Sequence, residues 1–304
     1  MFKRLLPILF LAACTGGTHY DGLDGGDSDA ATDALVSTDG TVDAGDTIDA
    51  PPGVWSALAP LPVNTANETE TNPQESPDEF TLFFVGVRAD KIGSLDVNYT
   101  TRSSPTAAFN AGHVTLFSLD TAASDEIEPF VSPDYLELYF VRDGNLLVSK
   151  RATLVDGWPA PTDTTIDGAK PVMSEDGLAL YYADPAASCP VQTCRSKRTR
   201  ATTSGNWGAP VVESFPPGNY QNVYLSNDGL RVLLSGPVNG NTTYALATAS
   251  RTATDAPWGA PVPVAEFGID PTIRFARWTL DERTMYVAVR QNNGTDDLYV
   301  SHLQ

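Results

Sequence analysis

A turn signature recurs five times in this chain: Ser76-Pro-Asp-Glu79, Ser132-Pro-Asp-Tyr135, Ser174-Glu-Asp-Gly177, Ser226-Asn-Asp-Gly229 and Thr279-Leu-Asp-Glu282. The spacing is 42 to 56 residues. A period of that length points to a repeat architecture, in which each unit buries its apolar face against the next. Only the aspartate is common to all five copies. Its short carboxylate accepts backbone N–H groups inside a tight reversal, and a following Gly tolerates positive φ. Asp78, Asp134, Asp176, Asp228 and Asp281 are therefore read as structural turn residues, not as catalytic ones.

The segment after each turn reads as a strand: Phe80–Val85, Leu136–Val141, Leu178–Tyr182, Leu230–Leu234 and Thr284–Val289. These runs are short, proline-free and rich in aromatic and β-branched residues. Several are apolar at nearly every position, as a sheet packed on both faces requires. A further strand follows in most copies, as in Asp297-Leu-Tyr-Val-Ser-His302, and the middle repeats close with Trp158-Pro-Ala-Pro161, Trp207-Gly-Ala-Pro210 and Trp258-Gly-Ala-Pro261. The pattern predicts an all-β chain: a five-bladed β-propeller of four-stranded antiparallel blades. The last repeat stops without a Trp-x-x-Pro unit, and an unmatched relative, Val54-Trp-Ser-Ala-Leu-Ala-Pro60, precedes the first turn. The N-terminal strand is thus expected to complete the final blade beside residues 297–302, with Trp55 as a buried anchor.

The order Pro-x-x-Ser-Pro-Asp-Gly, apolar strand, Asp-Leu-Tyr-Val-Ser, Gly-x-Trp-x-x-Pro resembles the WD40-like β-propeller repeat of bacterial envelope proteins, the TolB type. Pro129, Ser132, Pro133, Asp134 and Trp158–Pro161 all fall in place; Phe109 stands near the Trp position in the first copy, and Thr279-Leu280 replaces Ser-Pro in the fifth. The resemblance covers residues 54–304. It implies the fold and an envelope setting, and it leaves function open, because propellers host many activities.

Residues 1–14 read as a lipoprotein signal peptide. Lys3 and Arg4 precede an apolar stretch too short to cross a bilayer, which ends in Leu11-Ala-Ala-Cys14, similar to a lipobox. By that resemblance Cys14 is lipidated and anchors the chain to the membrane, with an outer-membrane address, periplasmic or surface-facing. An ordinary signal peptide is the alternative. Residues 15–53 read as a disordered linker of Asp, Gly, Ala and Thr, with nine aspartates between Asp21 and Asp49 and little to bury. Fragments such as Asp27-Ser-Asp29 lack the full spacing of a calcium loop, so no metal is expected.

The chain carries 38 Asp and Glu against 19 Lys and Arg, a net charge of −19. That balance argues against nucleic acid as a partner. Apart from Cys14, the cysteines are Cys189 and Cys194, and an exported address favours a local disulfide between them. Their spacing is not that of a Cys-x-x-Cys redox pair, and no neighbouring Cys or His completes a zinc site.

No catalytic motif stands out. The sialidase Asp-box is unmatched, and no Gly-x-Ser-x-Gly elbow is present. In a propeller the strand before the turn lines the central channel. Asn72, Glu128, Lys170 and Asn222 lie four residues before their turns, and Arg277 lies two before; together they form a possible binding mouth. A hydrated channel without a ligand is the alternative. The expected function is a protein- or ligand-binding scaffold in the cell envelope, acting as a monomer without cofactors, its partner an envelope protein or polar ligand. The alternative from another class is a glycoside hydrolase-like enzyme using Glu75 and Glu128 as a carboxylate pair at the funnel.

Overall fold

The computed structural model describes residues 53–304, apart from 88–94, 122, 186–193, 217–219, 221, 227, 238–243 and 269–271. Residues 1–52, which hold Cys14, the expected signal peptide and nearly all of the expected linker, lie outside the described residues, as does Cys189. Cys194 opens a strand.

Five four-stranded antiparallel sheets form the propeller. Blade 1 comprises β2 Glu70–Glu75, β3 Thr81–Gly86, β4 Asp96–Thr101 and β5 Val114–Thr115. Blade 2 comprises β6 Glu126–Val131, β7 Glu137–Arg142, β8 Asn145–Lys150 and β9 Thr162–Asp167. Blade 3 comprises β10 Ala169–Met173, β11 Ala179–Ala183, β12 Cys194–Thr199 and β13 Val211–Ser214. Blade 4 comprises β14 Asn222–Leu225, β15 Arg231–Pro237, β16 Tyr244–Ser250 and β17 Val262–Pro263. Blade 5 comprises β18 Ile273–Trp278, β19 Thr284–Arg290 and β20 Asp296–His302, completed by β1 Ala59–Pro60 from the other end of the chain.

Each turn is built the same way. The Ser or Thr hydroxyl donates to the aspartate Oδ1 at 2.5–2.6 Å in all five copies. That Oδ1 also accepts the N–H two residues on, from Phe80 in blade 1 and Leu178 in blade 3. The last tetrad residue has positive φ, at 68° and 72° for Gly177 and Gly229 but also at 64°, 58° and 56° for Glu79, Tyr135 and Glu282. Glycine is thus preferred there but not obligatory.

A second repeated device locks the turn to its own blade. Arg102, Arg151, Arg200 and Arg251, each just past the third strand, donate through Nε to the carbonyls of Glu79, Tyr135, Gly177 and Gly229 at 2.6–2.8 Å. The same guanidinium groups lie 4.3–4.5 Å from the ring centroids of Phe109, Trp158, Trp207 and Trp258. These aromatic rings are therefore platforms for arginine within the protein. In blade 5 the equivalent of the arginine is Leu303, and the ring opposite it is Trp55: the two form an isolated bridge.

That bridge belongs to the closure. Ala59 pairs with Val300 and Pro60 with Tyr299. Ser56 N donates to His302 O and Leu61 N to Leu298 O, both at 2.9 Å. Asn64 then imitates a strand residue: its Nδ2 donates to Leu298 O at 2.9 Å, and its Oδ1 accepts from Leu298 N at 2.8 Å. One apolar cluster joins Leu61 and Val63 to Leu82, Phe84, Tyr286 and Leu298, tying both chain ends into blades 1 and 5. Trp55 departs from expectation in one respect. It is half-buried against the core, since the outermost strand lies at the rim.

Candidate functional site

The innermost strands carry three matching irregularities. In β2, β6 and β10 the ladder slips between Thr71 and Gln74, Ile127 and Phe130, and Ala169 and Val172. Each bulge holds a non-glycine residue at positive φ: Asn72 at 51°, Glu128 at 57° and Lys170 at 56°. Each is followed by proline, which has no ladder donor and is tolerated because the innermost strand is a sheet edge. Left-handed backbone at a non-glycine residue costs on the order of 1 kcal/mol. The extra residue re-aims side chains toward the axis.

The result is one cavity on the axis, lined by Asn72, Glu128, Lys170, Asn222 and Arg277 together with Val172, Tyr224 and Phe275. The space is about 20 Å³, room for roughly one water. Glu128 Oε2 accepts the backbone N–H of Lys170 at 2.6 Å, linking blades 2 and 3. Asn222 Nδ2 donates to Arg274 O at 2.8 Å and lies 3.2 Å from Ser235 Oγ, linking blades 4 and 5. Arg277 reaches furthest. Its Nη1 donates to Gln74 Oε1 at 2.5 Å and to Pro129 O at 2.6 Å, and the guanidinium lies 5.7 Å from the Tyr224 ring centroid. It holds blades 1, 2 and 5 together as well as lining the channel.

The cavity is cationic within an acidic protein. Lys170 and Arg277 line it with one carboxylate, Glu128, and the buried Arg195 from β12 lies near Lys170 and Glu128 behind that lining. Burial pushes Lys170 below the usual lysine range, and Arg195 nearby adds to this while Glu128 opposes it. Burial brings Arg195 down to about 10 against the pull of Glu128. Burial also lowers Arg277. A set of positive groups held in a narrow, poorly hydrated space favours an incoming anion. Arg195 was not among the residues singled out from the sequence, because nothing local relates a residue on the third strand to the axis.

Glu75 and Glu128 do not form the carboxylate pair expected of a glycoside hydrolase. Glu128 lines the axial channel, whereas Glu75 lines a different cavity between blades 1 and 5. Glu75 directly follows Gln74, so strand alternation turns its side chain away from the face that Gln74 presents.

Among the described residues, one acidic trio has the spacing of metal ligands. Asp96, Asp120 and Glu126 place carboxylate oxygens within 4.8 Å of one another between blades 1 and 2. A guanidinium already supplies positive charge there: Arg142 Nε contacts Glu126 Oε1 at 2.6 Å, and Arg142 also donates to Leu119 O. Burial raises the Glu126 carboxyl, and a hydrogen bond with Asp96 raises it further against the pull of Arg142.

No family model matches the chain, and no curated protein matches it. Among solved structures it is similar to a family 117 glycoside hydrolase produced by the marine bacterium Zobellia galactanivorans. The TM-score is 0.56 at 10% identity, over 83% of this chain and 90% of that one. At that identity the likeness establishes the propeller fold. TolB from Acinetobacter baumannii overlaps with a TM-score of 0.45 at 14% identity, over 83% of this chain and 64% of that one.

Proposed function

We propose that this chain is a lipid-anchored, extracytoplasmic binding module of the bacterial cell envelope, whose five-bladed ring engages an anionic group of a partner at the axial channel. The observation that carries the reading is the convergence of residues from all five blades on one cavity that holds Lys170 and Arg277 against Glu128. With room for about one water, the cavity admits at most one oxygen of a partner's anionic group rather than a whole small molecule. An enzyme acting on sugars needs two carboxylates flanking one bond. The pair named from the sequence is divided between two cavities, which favours binding over hydrolysis. The address rests on Leu11-Ala-Ala-Cys14.

Two measurements test this. Metabolic labelling with a palmitate analogue is expected to tag the wild type and not Cys14→Ser; equal labelling of both overturns the anchor. Affinity capture from envelope extract is expected to retain a partner on the wild type and lose it on Lys170→Gln, with the melting temperature unchanged. Equal retention by both overturns the channel as the site, and no specific retention by the wild type overturns the binding reading.

A further inference from the structure

A second cavity, of about 620 Å³, opens between blades 1 and 5 at the seam where the two ends of the chain meet. That volume lies in the range of small-molecule pockets. One wall is apolar: Pro60 and Leu61 from the closing segment, Val300 from β20, and Pro105 and Ala108 from the loop after β4. The rest of the lining is acidic on balance: Glu75, Glu79 and Asp281 against Arg102, with His302 also present.

Glu75 is where the repeat breaks its own rule. The residue before each turn tetrad is Val131, Met173, Leu225 and Trp278 in the other blades, all buried apolar core residues. Only blade 1 places a carboxylate there, and its side chain is 5% exposed. Departures from local consistency of this kind concentrate at functional sites. Both hydrogen bonds to Glu75 converge on one oxygen: Tyr286 Oη donates to Oε1 at 2.7 Å and Arg102 Nη2 at 2.6 Å. Oε2 takes neither of these bonds, and Glu75 lines the cavity. Arg102 is committed elsewhere as well, through Nε to Glu79 O at 2.6 Å and through its flat face to the Phe109 ring at 4.5 Å.

We propose that the seam cavity binds a small organic cation, with an ammonium group held by Glu75 Oε2, Glu79 and Asp281 and an aliphatic body against Pro60, Leu61 and Val300. The acidic lining repels an anion. Arg102 already pairs with Glu75, so three carboxylates share the lining with one guanidinium, and an ammonium offsets the remaining negative charge where a neutral ligand does not. The site is separate from the axial channel and does not depend on the reading given to that channel. Binding is expected to be linked to protons. Burial pushes Glu75 up to about 7; Tyr286 and Arg102 pull it down, and Glu79 and Asp281 push it further up. A cation favours the ionised form, so affinity rises as pH increases through 7.

The test is isothermal titration of the full-length protein with pentylamine, pentanol and pentanoate at pH 6 and pH 8. An alkylamine stays protonated throughout this range, as lysine does. Pentylamine is expected to bind saturably, about tenfold tighter at pH 8 than at pH 6, as a titration at about 7 dictates. Pentanol and pentanoate are expected not to bind. Glu79→Gln is expected to weaken pentylamine severalfold, and Glu75→Gln to remove the pH dependence. Should Glu75→Gln fail to fold, Glu79→Gln decides alone. The absence of saturable pentylamine binding, equal binding of pentanoate, or unchanged affinity in Glu79→Gln overturns the proposal.

Discussion

Deleting residues 54–62 is expected to lower the melting temperature of the ring by about 10–20 °C, whereas deleting residues 20–48 leaves it within about a degree. The first change opens a ring; the second shortens a segment whose composition gives it nothing to bury. Loss of the closing strand removes the backbone bonds from Ser56 and Leu61 to β20 and the two ladder pairs at Ala59 and Pro60. It also withdraws Leu61 from its cluster with Leu82, Phe84, Tyr286 and Leu298 and bares the edge of β20. A loss of about 5 kcal/mol corresponds to that shift for a domain of this size. Asn64→Ala is the sharper point test. It takes Asn64 Oδ1 from Leu298 N and leaves Leu298 O with Leu61 N, at a residue with no exposed surface, and is expected to lose about 1–3 kcal/mol. Trp55→Ala is expected to lose less, about 1–2 kcal/mol, because its ring is only half-buried. Differential scanning calorimetry of the four variants beside the wild type checks all of this; an unchanged melting temperature on deleting 54–62 sinks the closure account.

The sequence exposed those parts of this architecture whose physics is local. A Ser-x-Asp turn is written within four residues, and the strand after it within six, so five turns announce five blades. Closure was legible by arithmetic of a different kind: the fifth repeat lacks a Trp-x-x-Pro unit and residues 54–60 supply a spare one. The arginine clamps were equally periodic. Arg102, Arg151, Arg200 and Arg251 each stand seven residues before Phe109, Trp158, Trp207 and Trp258. A single arginine at that distance means nothing; only the four copies laid over one another reveal a cation waiting for a ring. The same overlay exposes Glu75, since it alone puts a charge in a column of apolar residues. Its destination was not legible. Reading Glu75 and Glu128 as partners ignored that one lies a single residue before its turn and the other four, positions that strand alternation and the bulge send to different places. The reach of Arg277 across to Gln74 and Pro129, and the approach of Arg195 to Glu128, depend on how blades are set around the axis, which no local spacing encodes.

The stability of the ring is expected to fall as pH rises from about 4.5 to about 7, the opposite of the usual carboxylate behaviour. Two buried glutamates carry this. Burial pushes Glu75 up to about 7, with Tyr286 and Arg102 opposing. Burial likewise pushes Glu282 up to about 7, opposed by Arg231, whose Nη2 lies 2.7 Å away, and reinforced by Asp228 and Asp281. In both, removal from water outweighs the paired guanidinium. In the unfolded chain these side chains ionise near 4.5. Between 4.5 and 7 the native state therefore holds protons that the unfolded state releases. Stability declines with pH wherever the native state binds more protons, so these groups favour the fold fully below about 4.5 and lose that contribution as pH passes 7. Each is expected to account for about 3 kcal/mol across the window. Asp176 works in the other direction: its turn hydrogen bonds from Ser174 and Leu178 hold it below the usual range, so its contribution is lost only as pH falls into the acid range. Urea unfolding at pH 5, 6, 7 and 8 is the measurement. Glu75→Gln keeps an oxygen for Tyr286 and Arg102 without a charge to titrate, and Glu282→Gln does the same beside Arg231. Each variant is expected to flatten the curve and to gain on the wild type between pH 5 and pH 8. Curves that run parallel across the range would show that both carboxyls are already ionised in the folded protein, and that the guanidinium pairs, not burial, set their state.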